Sequence, residues 1–293
     1  MSRLKRFEQE LLSTMEELTG PPCPPILAKA MRHAVFAGGS RLRPRVLMAV
    51  AESCGAVDEC VCMHAAVAVE LLHCASLVHD DLPSFDDAAV RRGKPSVHAA
   101  FGEATAVLVG DALLVGAFQA LYQLADEHSQ RAMKLIGMLA KAAGPPEGII
   151  AGQAWEQEKD VNVQAYHRSK TATLFEMSAM AGAVCGGGEP REFRAVGEWV
   201  GRAYQIADDL RDQLGNSEDM GKPAGKDQQL SRPSMVTERG VDKSIELFDE
   251  ALSSAVKSVP MCSNPESLRT FIKDLLERFR VGVDKGNELR GNE

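Results

Sequence analysis

The stretch from residue 60 to 82 is apolar around most of its helical circumference, yet it closes on Asp80-Asp81-Leu82-Pro83-Ser84-Phe85-Asp86-Asp87. A helix of that kind has no face to give to water, so it belongs at the centre of a bundle with other helices wrapped round it. Its charged end must then open into a cleft. The stretch 192–213 reads the same way and closes on Asp208-Asp209-Leu210-Arg211-Asp212. Helical periodicity also covers about 4–19, 26–37, 43–54, 104–124, 129–142, 147–158, 164–184, 241–258 and 265–281, with Pro and Gly breakers between. No alternating strand pattern stands out. The expected fold is all-α: a single large helical bundle over residues 1–293, one domain, with central helices sheathed by outer ones. A long polar loop, 215–233, interrupts it and reads as functional.

Composition narrows the function. A hydrophobic content of 45% supports a large core, and the net charge of −8 argues against nucleic-acid binding. Seven cysteines without a CxxC pair speak against a disulfide framework or a zinc site and for a reducing, cytoplasmic setting. The start, Met1-Ser2-Arg3-Leu4-Lys5-Arg6-Phe7-Glu8, has no apolar signal core. The apolar stretch 104–118 is interrupted by Asp111 and reads as too short to cross a bilayer, so no membrane span is expected.

The acidic ends carry the chemistry. Asp208 and Asp212 are four apart and share a helix face, with Gln205 one turn earlier. Asp80 and Asp86 would splay on a straight helix, but Pro83 disfavours helical geometry at Leu82 and lets the chain return Asp86 toward Asp80. Converging carboxylates repel, and divalent cations relieve that, with a substrate's phosphates completing their shell. His73, two turns below Asp80, is placed to donate to a second anion. Glu70-Leu71-Leu72-His73 is a Glu-x-x-His step as in di-iron bundles, but it has no second copy. Cations suited to phosphate oxygens stand in Gly38-Gly39-Ser40-Arg41-Leu42-Arg43-Pro44-Arg45, in Arg91-Arg92-Gly93-Lys94-Pro95, at Lys170-Thr171, and at Lys222, Lys226 and Arg232 in the loop. A Walker loop, a strand–GxGxxG–helix unit and a nucleophile elbow are all missing from the sequence.

Taken in order, the segments Gly38 to Pro44, Leu72 to Pro83, Arg91 to Pro95, Gly110-Asp111, Gly152-Gln153, Lys170-Thr171, Gln205 to Asp209, and Gly221-Lys222 to Asp227 resemble the trans-isoprenyl diphosphate synthases. The bacterial short-chain geranylgeranyl and farnesyl enzymes are the most similar. The resemblance spans about residues 30–240 and implies an isoprenoid-synthase bundle. It further implies a Mg2+-dependent prenyltransferase that condenses an allylic diphosphate with isopentenyl diphosphate, head to tail, and releases diphosphate. Several ions per site are implied, with Asp80, Asp86 and Asp208 as main ligands and Asp81, Asp209 and Asp212 orienting ligands or waters. Arg91, Lys170, Gln205 and Lys222 would contact the allylic diphosphate; Arg43, His73 and Arg92 would hold isopentenyl diphosphate. Thr171 and Arg232 complete the substrate-binding set, and Lys170 joins the three main aspartates as catalytic. The departing diphosphate would accept the proton, and the enzyme would be a homodimer.

Two departures carry weight. Ser40 stands where the family usually has Lys, with Arg41 or Arg45 as the alternatives for compensation, and Glu156 replaces a common Asp in a hydrogen-bonding role. Small Ala75 and Ser76 leave room for a chain beyond farnesyl, so geranylgeranyl diphosphate is the expected product and farnesyl diphosphate the alternative. A terpene cyclase would need no second diphosphate site and more aromatics than the 5% present. A non-catalytic partner subunit would not need both aspartate motifs intact.

Overall fold

The computed structural model describes residues 2–158, 169, 172–214, 236 and 239–290, with the side chains of 212, 214 and 281–290 outside that description. Helices dominate it: α1 (Arg3–Thr19), α2 (Pro25–Val35), α3 (Leu42–Cys54), α4 (Glu59–Asp80), α5 (Val97–Phe101), α6 (Glu103–Tyr122), α7 (Ser129–Ala143), α8 (Ile149–Trp155), α9 (Thr173–Gly186), α10 (Arg194–Leu214), α11 (Val241–Lys257) and α12 (Pro265–Arg290). A two-stranded antiparallel ribbon, β1 (Val90–Arg91) and β2 (Lys94–Pro95), was not anticipated. Strands this short leave no alternation for sequence to reveal.

Asp58 starts α4 by accepting a hydrogen bond from the Val61 amide at 3.3 Å. From there the helix is buried on every side, Val61, Ala65, Val69 and Leu72 as much as Val67, Leu71, Ala75 and Val78. Each fully buried Val or Leu contributes about 1.5–3 kcal/mol. It lies along α6 and is crossed by α3, α7 and α9.

The second predicted central helix is different. α10 buries Val196, Val200, Ala203, Ile206, Ala207 and Leu210 but exposes Arg194, Glu198 and Arg202. Those three charges recur at every fourth position, which marks one wet face. The other all-round buried helix is α9. It approaches α3 closely because Gly182 and Gly186 carry no Cβ: a Cβ there would lie 2.4 Å from the Leu47 and Ala51 carbonyl oxygens respectively. Around this α3–α9 crossing meet two apolar clusters, one centred on α4 and one on α10, α11 and α12.

α6 also departs from expectation. It continues through Asp111 to Tyr122, long and apolar enough to cross a membrane by length and composition, with 44% of that window buried. Val107, Leu108, Val115 and Tyr122 form its exposed apolar face.

Candidate active site

α4 ends where Pro83 ends it, and the chain then folds back over the helix's last carbonyls. The Asp86 amide donates to the Asp80 carbonyl at 2.9 Å, and the Ala88 amide to that of Asp81 at 3.1 Å. These bonds satisfy acceptors that a helix end leaves open. They also bring Asp86 back to Asp80, the return anticipated from Pro83. Asp80, Asp86 and Glu156 each offer a carboxylate oxygen within 4.8 Å of the others. The three acids sit at the negative end of the α4 dipole, which repels them further. A hard divalent cation bound among such carboxylates would relieve their repulsion. The sequence reading gave Glu156 only a hydrogen-bonding role, which Gln153 fulfils by donating to its Oε2 at 3.0 Å. Its place beside the first aspartates was hidden by the distance in sequence.

Asp81 does something else. It is 3% exposed and accepts from the Arg91 Nε at 2.9 Å, with a second bond from Nη2. Asp81 is therefore the anchor that aims Arg91, whose charge also feels Asp80 and Asp86. On α10, Gln205 donates to Asp209 at 2.7 Å, and Asp209 is likewise buried. Asp208 is half-exposed, with the Arg211 guanidinium 3.7 Å away. Each motif thus pairs an outward aspartate with a neighbour that holds another side chain. The Asp212 side chain, Lys170, Thr171, Lys222, Lys226 and Arg232 lie outside the described residues.

A second, cationic group faces this one. Arg43 is 8% exposed, stacked 4.8 Å over Phe175 and 5.9 Å from the Tyr204 ring. No carboxylate pairs with it among the described residues, and its buried Nε has no hydrogen-bond partner there. His73 Nε2 lies 3.2 Å from Arg43 Nη1 and 3.4 Å from Arg92 Nη2. Arginine only donates, so this nitrogen accepts from both. Burial, then Arg43, Arg92, Arg91 and Arg41, holds the His73 pKa well below its usual value. His73 is therefore a neutral clip whose Nε2 gathers two guanidiniums, which leaves Nδ1–H for the donor role expected from sequence. Arg92 also donates to the Gly38 carbonyl. Gly39 has φ +122°, and a Cβ there would meet the Arg92 Cζ at 2.6 Å, so the loop must be glycine where the guanidinium crosses it.

Neither candidate compensates for Ser40. Arg41 is buried and committed to Glu70 at 2.7 Å, Glu8 at 3.1 Å and the Val35 carbonyl at 3.1 Å. Arg45 lies over the Phe271 ring of α12 at 5.9 Å. The charge of Asp208 acts on both Arg43 and Tyr204, so this aspartate of α10 lies close to the cationic group. The described residues therefore hold an acidic group, Asp80, Asp86 and Glu156, and a group of guanidiniums, Arg43 and Arg92, gathered at His73.

The Polyprenyl synthetase family pattern matches residues 24–264. The chain is 43% identical over 275 residues to a geranylgeranyl diphosphate synthase of Cereibacter sphaeroides, covering 94% of this chain and 96% of that one. It is 40% identical over 258 residues to a farnesyl diphosphate synthase of Geobacillus stearothermophilus, covering 83% and 85% respectively. Among solved structures it is similar to a Helicobacter pylori geranyltransferase complexed with magnesium and isoprenyl diphosphate, with a TM-score of 0.77, 27% identity, and 95% and 97% of the two chains covered.

Proposed function

The chain belongs to the polyprenyl synthetase family, and from that membership and the cleft's geometry we propose a Mg2+-dependent prenyltransferase making geranylgeranyl diphosphate from an allylic diphosphate and isopentenyl diphosphate. The observation that carries the reading is the cluster Asp80, Asp86 and Glu156, together with a buried Arg43 that has no carboxylate partner among the described residues. The cluster's donors are all carboxylate oxygens, which suit a hard cation. Asp80, Asp86 and Glu156 would hold magnesium on one side of the diphosphate, and Asp208 with Asp212 on the other. When bound, magnesium neutralises the charge that develops on the leaving diphosphate.

The residues around it position and bind. Arg91, aimed by Asp81, grips the allylic diphosphate; Gln205 and, on the resemblance, Lys170, Thr171, Lys222 and Arg232 extend that grip. Arg43 and Arg92, gathered by His73, take the isopentenyl diphosphate. The allylic C–O bond breaks, the alkene of the second substrate forms the new C–C bond, and the released diphosphate takes the proton lost from the product. Residues 1–293 act as one domain in this reading. Seven thiols without disulfides support a reducing, cytoplasmic setting.

Radiolabelled isopentenyl diphosphate with allylic primers of increasing length tests the reading, because a cyclase would instead consume the allylic substrate alone. A farnesyl product would match the Geobacillus stearothermophilus relative and correct only the chain length. On length, Ala75 lies one turn below His79, whose ring reaches the Val107 carbonyl of α6. Ala75→Phe is expected to narrow the space beside α4 that the resemblance assigns to the growing chain and to shift the product to a shorter chain. Chromatography of the dephosphorylated products reads this, and an unchanged distribution removes the steric argument.

The exposed α6 face supports a homodimer. Val107, Leu108, Val115 and Tyr122 make an apolar stripe, interrupted by the exposed Asp111, that a second copy would cover by the same stripe, as a two-fold interface requires. Val115→Glu is expected to yield monomers in sedimentation analysis, and a dimer that survives it would place the interface elsewhere.

A further inference from the structure

Successive residues of a strand point to opposite faces. Arg91 of β1 turns to Asp81, and Arg92, just after it at φ +53°, turns to His73 and the Gly38 carbonyl. Both anion sites therefore depend on where one short ribbon sits. A small cavity of about 20 Å³ lies beneath the ribbon, floored by Cys74, Leu77 and Val78 of α4 and walled by α2. Hydrogen bonds cross from α2 to the ribbon at its edge, and they fix direction as packing alone does not.

The bonds come from α2. His33 Nε2 lies 2.8 Å from the Pro95 carbonyl of β2. A carbonyl oxygen only accepts, so Nε2 carries the proton and donates. Phe101 sets the ring, edge-on at 5.3 Å. Lys94 adds a longer contact, 3.5 Å from its Nζ to the Phe36 carbonyl at the C-cap of α2. We propose that His33 is a positioning residue for both diphosphate sites: it clasps the ribbon at Pro95 and so sets Arg91 on one side and Arg92 on the other. This rests on the prenyl-transfer reading. It predicts that two substrates bound at different places weaken together when one residue that touches neither is changed.

Steady-state kinetics on the full-length enzyme with saturating magnesium tests it, each substrate varied against excess of the other. His33→Leu is expected to raise both KM values by about tenfold, the effect of one lost hydrogen bond, with kcat within about threefold. His33→Gln keeps an N–H donor and is expected to recover most of that loss. Lys94→Met, at the weaker contact, raises both KM values by about twofold to fourfold and decides the matter should His33→Leu fold poorly. Unmoved KM values in a condensing enzyme, a change in only one of them, or a glutamine variant as weak as leucine would overturn the clasp. A wild-type enzyme that does not condense the substrates would overturn the prenyl-transfer reading itself.

Discussion

Replacing Asp80 with asparagine is expected to lower kcat by about 10³-fold or more, within the range seen when a charge-stabilising group is removed from a reacting centre. Asparagine keeps the shape of the side chain and the bond from the Asp86 amide to the Asp80 carbonyl. Only the charge is lost. Asp80, Asp86 and Glu156 lie within one ion's reach of each other, at the end of α4 where the helix dipole already disfavours anions. The native carboxylate is repelled by Asp86 and Glu156 and attracted by Arg91, so the substitution should change the melting temperature of the metal-free protein little. Product formation and thermal unfolding, measured on the same preparation, separate the two effects. Activity within about tenfold of wild type would mean that Asp80 holds no ion. A matching collapse of the melting temperature would make its role structural.

Arg43→Met is expected to act the same way on the other side of the cleft. Arg43 is buried against Phe175 and Tyr204 with no carboxylate partner among the described residues, and burial pulls its pKa below the usual arginine value. A buried charge left unpaired destabilises the empty protein, and one that meets an anion contributes strongly to binding. Truncating one partner of a buried charged pair costs about 2–5 kcal/mol, which is roughly 30-fold to several thousand-fold in affinity. The KM for isopentenyl diphosphate should rise by that order, with a much smaller change for the allylic substrate. Methionine fills most of the volume without the charge, so the melting temperature of the free protein should rise. Kinetics with each substrate varied in turn, alongside calorimetric unfolding, checks both signs. A variant that loses stability and keeps its KM would show that Arg43 is part of the scaffold alone.

Much of this was legible before any coordinates. The helices followed from periodicity, and the return of Asp86 to Asp80 followed from Pro83, because both are local effects of a few neighbouring residues. Long-range pairings were not. Asp81 and Arg91 look alike in sequence to their neighbours Asp80 and Arg92, yet the ribbon turns one arginine to the acids and the other to His73. The state of His73 was hidden for the same reason: burial and four arginines brought round it by two separate segments make the neutral ring the stable one. Arg41 looked free to replace the charge absent at Ser40 until Glu70 and Glu8 were found on either side of it. The all-round apolar reading of 192–213 fails because Arg194, Glu198 and Arg202 recur at every fourth position and mark a wet face.

Calorimetric titration of an allylic thiolodiphosphate, which binds without ionising, into chelator-treated enzyme tests whether the acids of the cleft gather cations around one diphosphate. The predicted result is no heat of binding until magnesium is added, then saturable binding that Asp80→Asn abolishes. Binding of equal strength in excess chelator would mean that the diphosphate is held by the arginines alone, and that the aspartates of both helices serve another purpose.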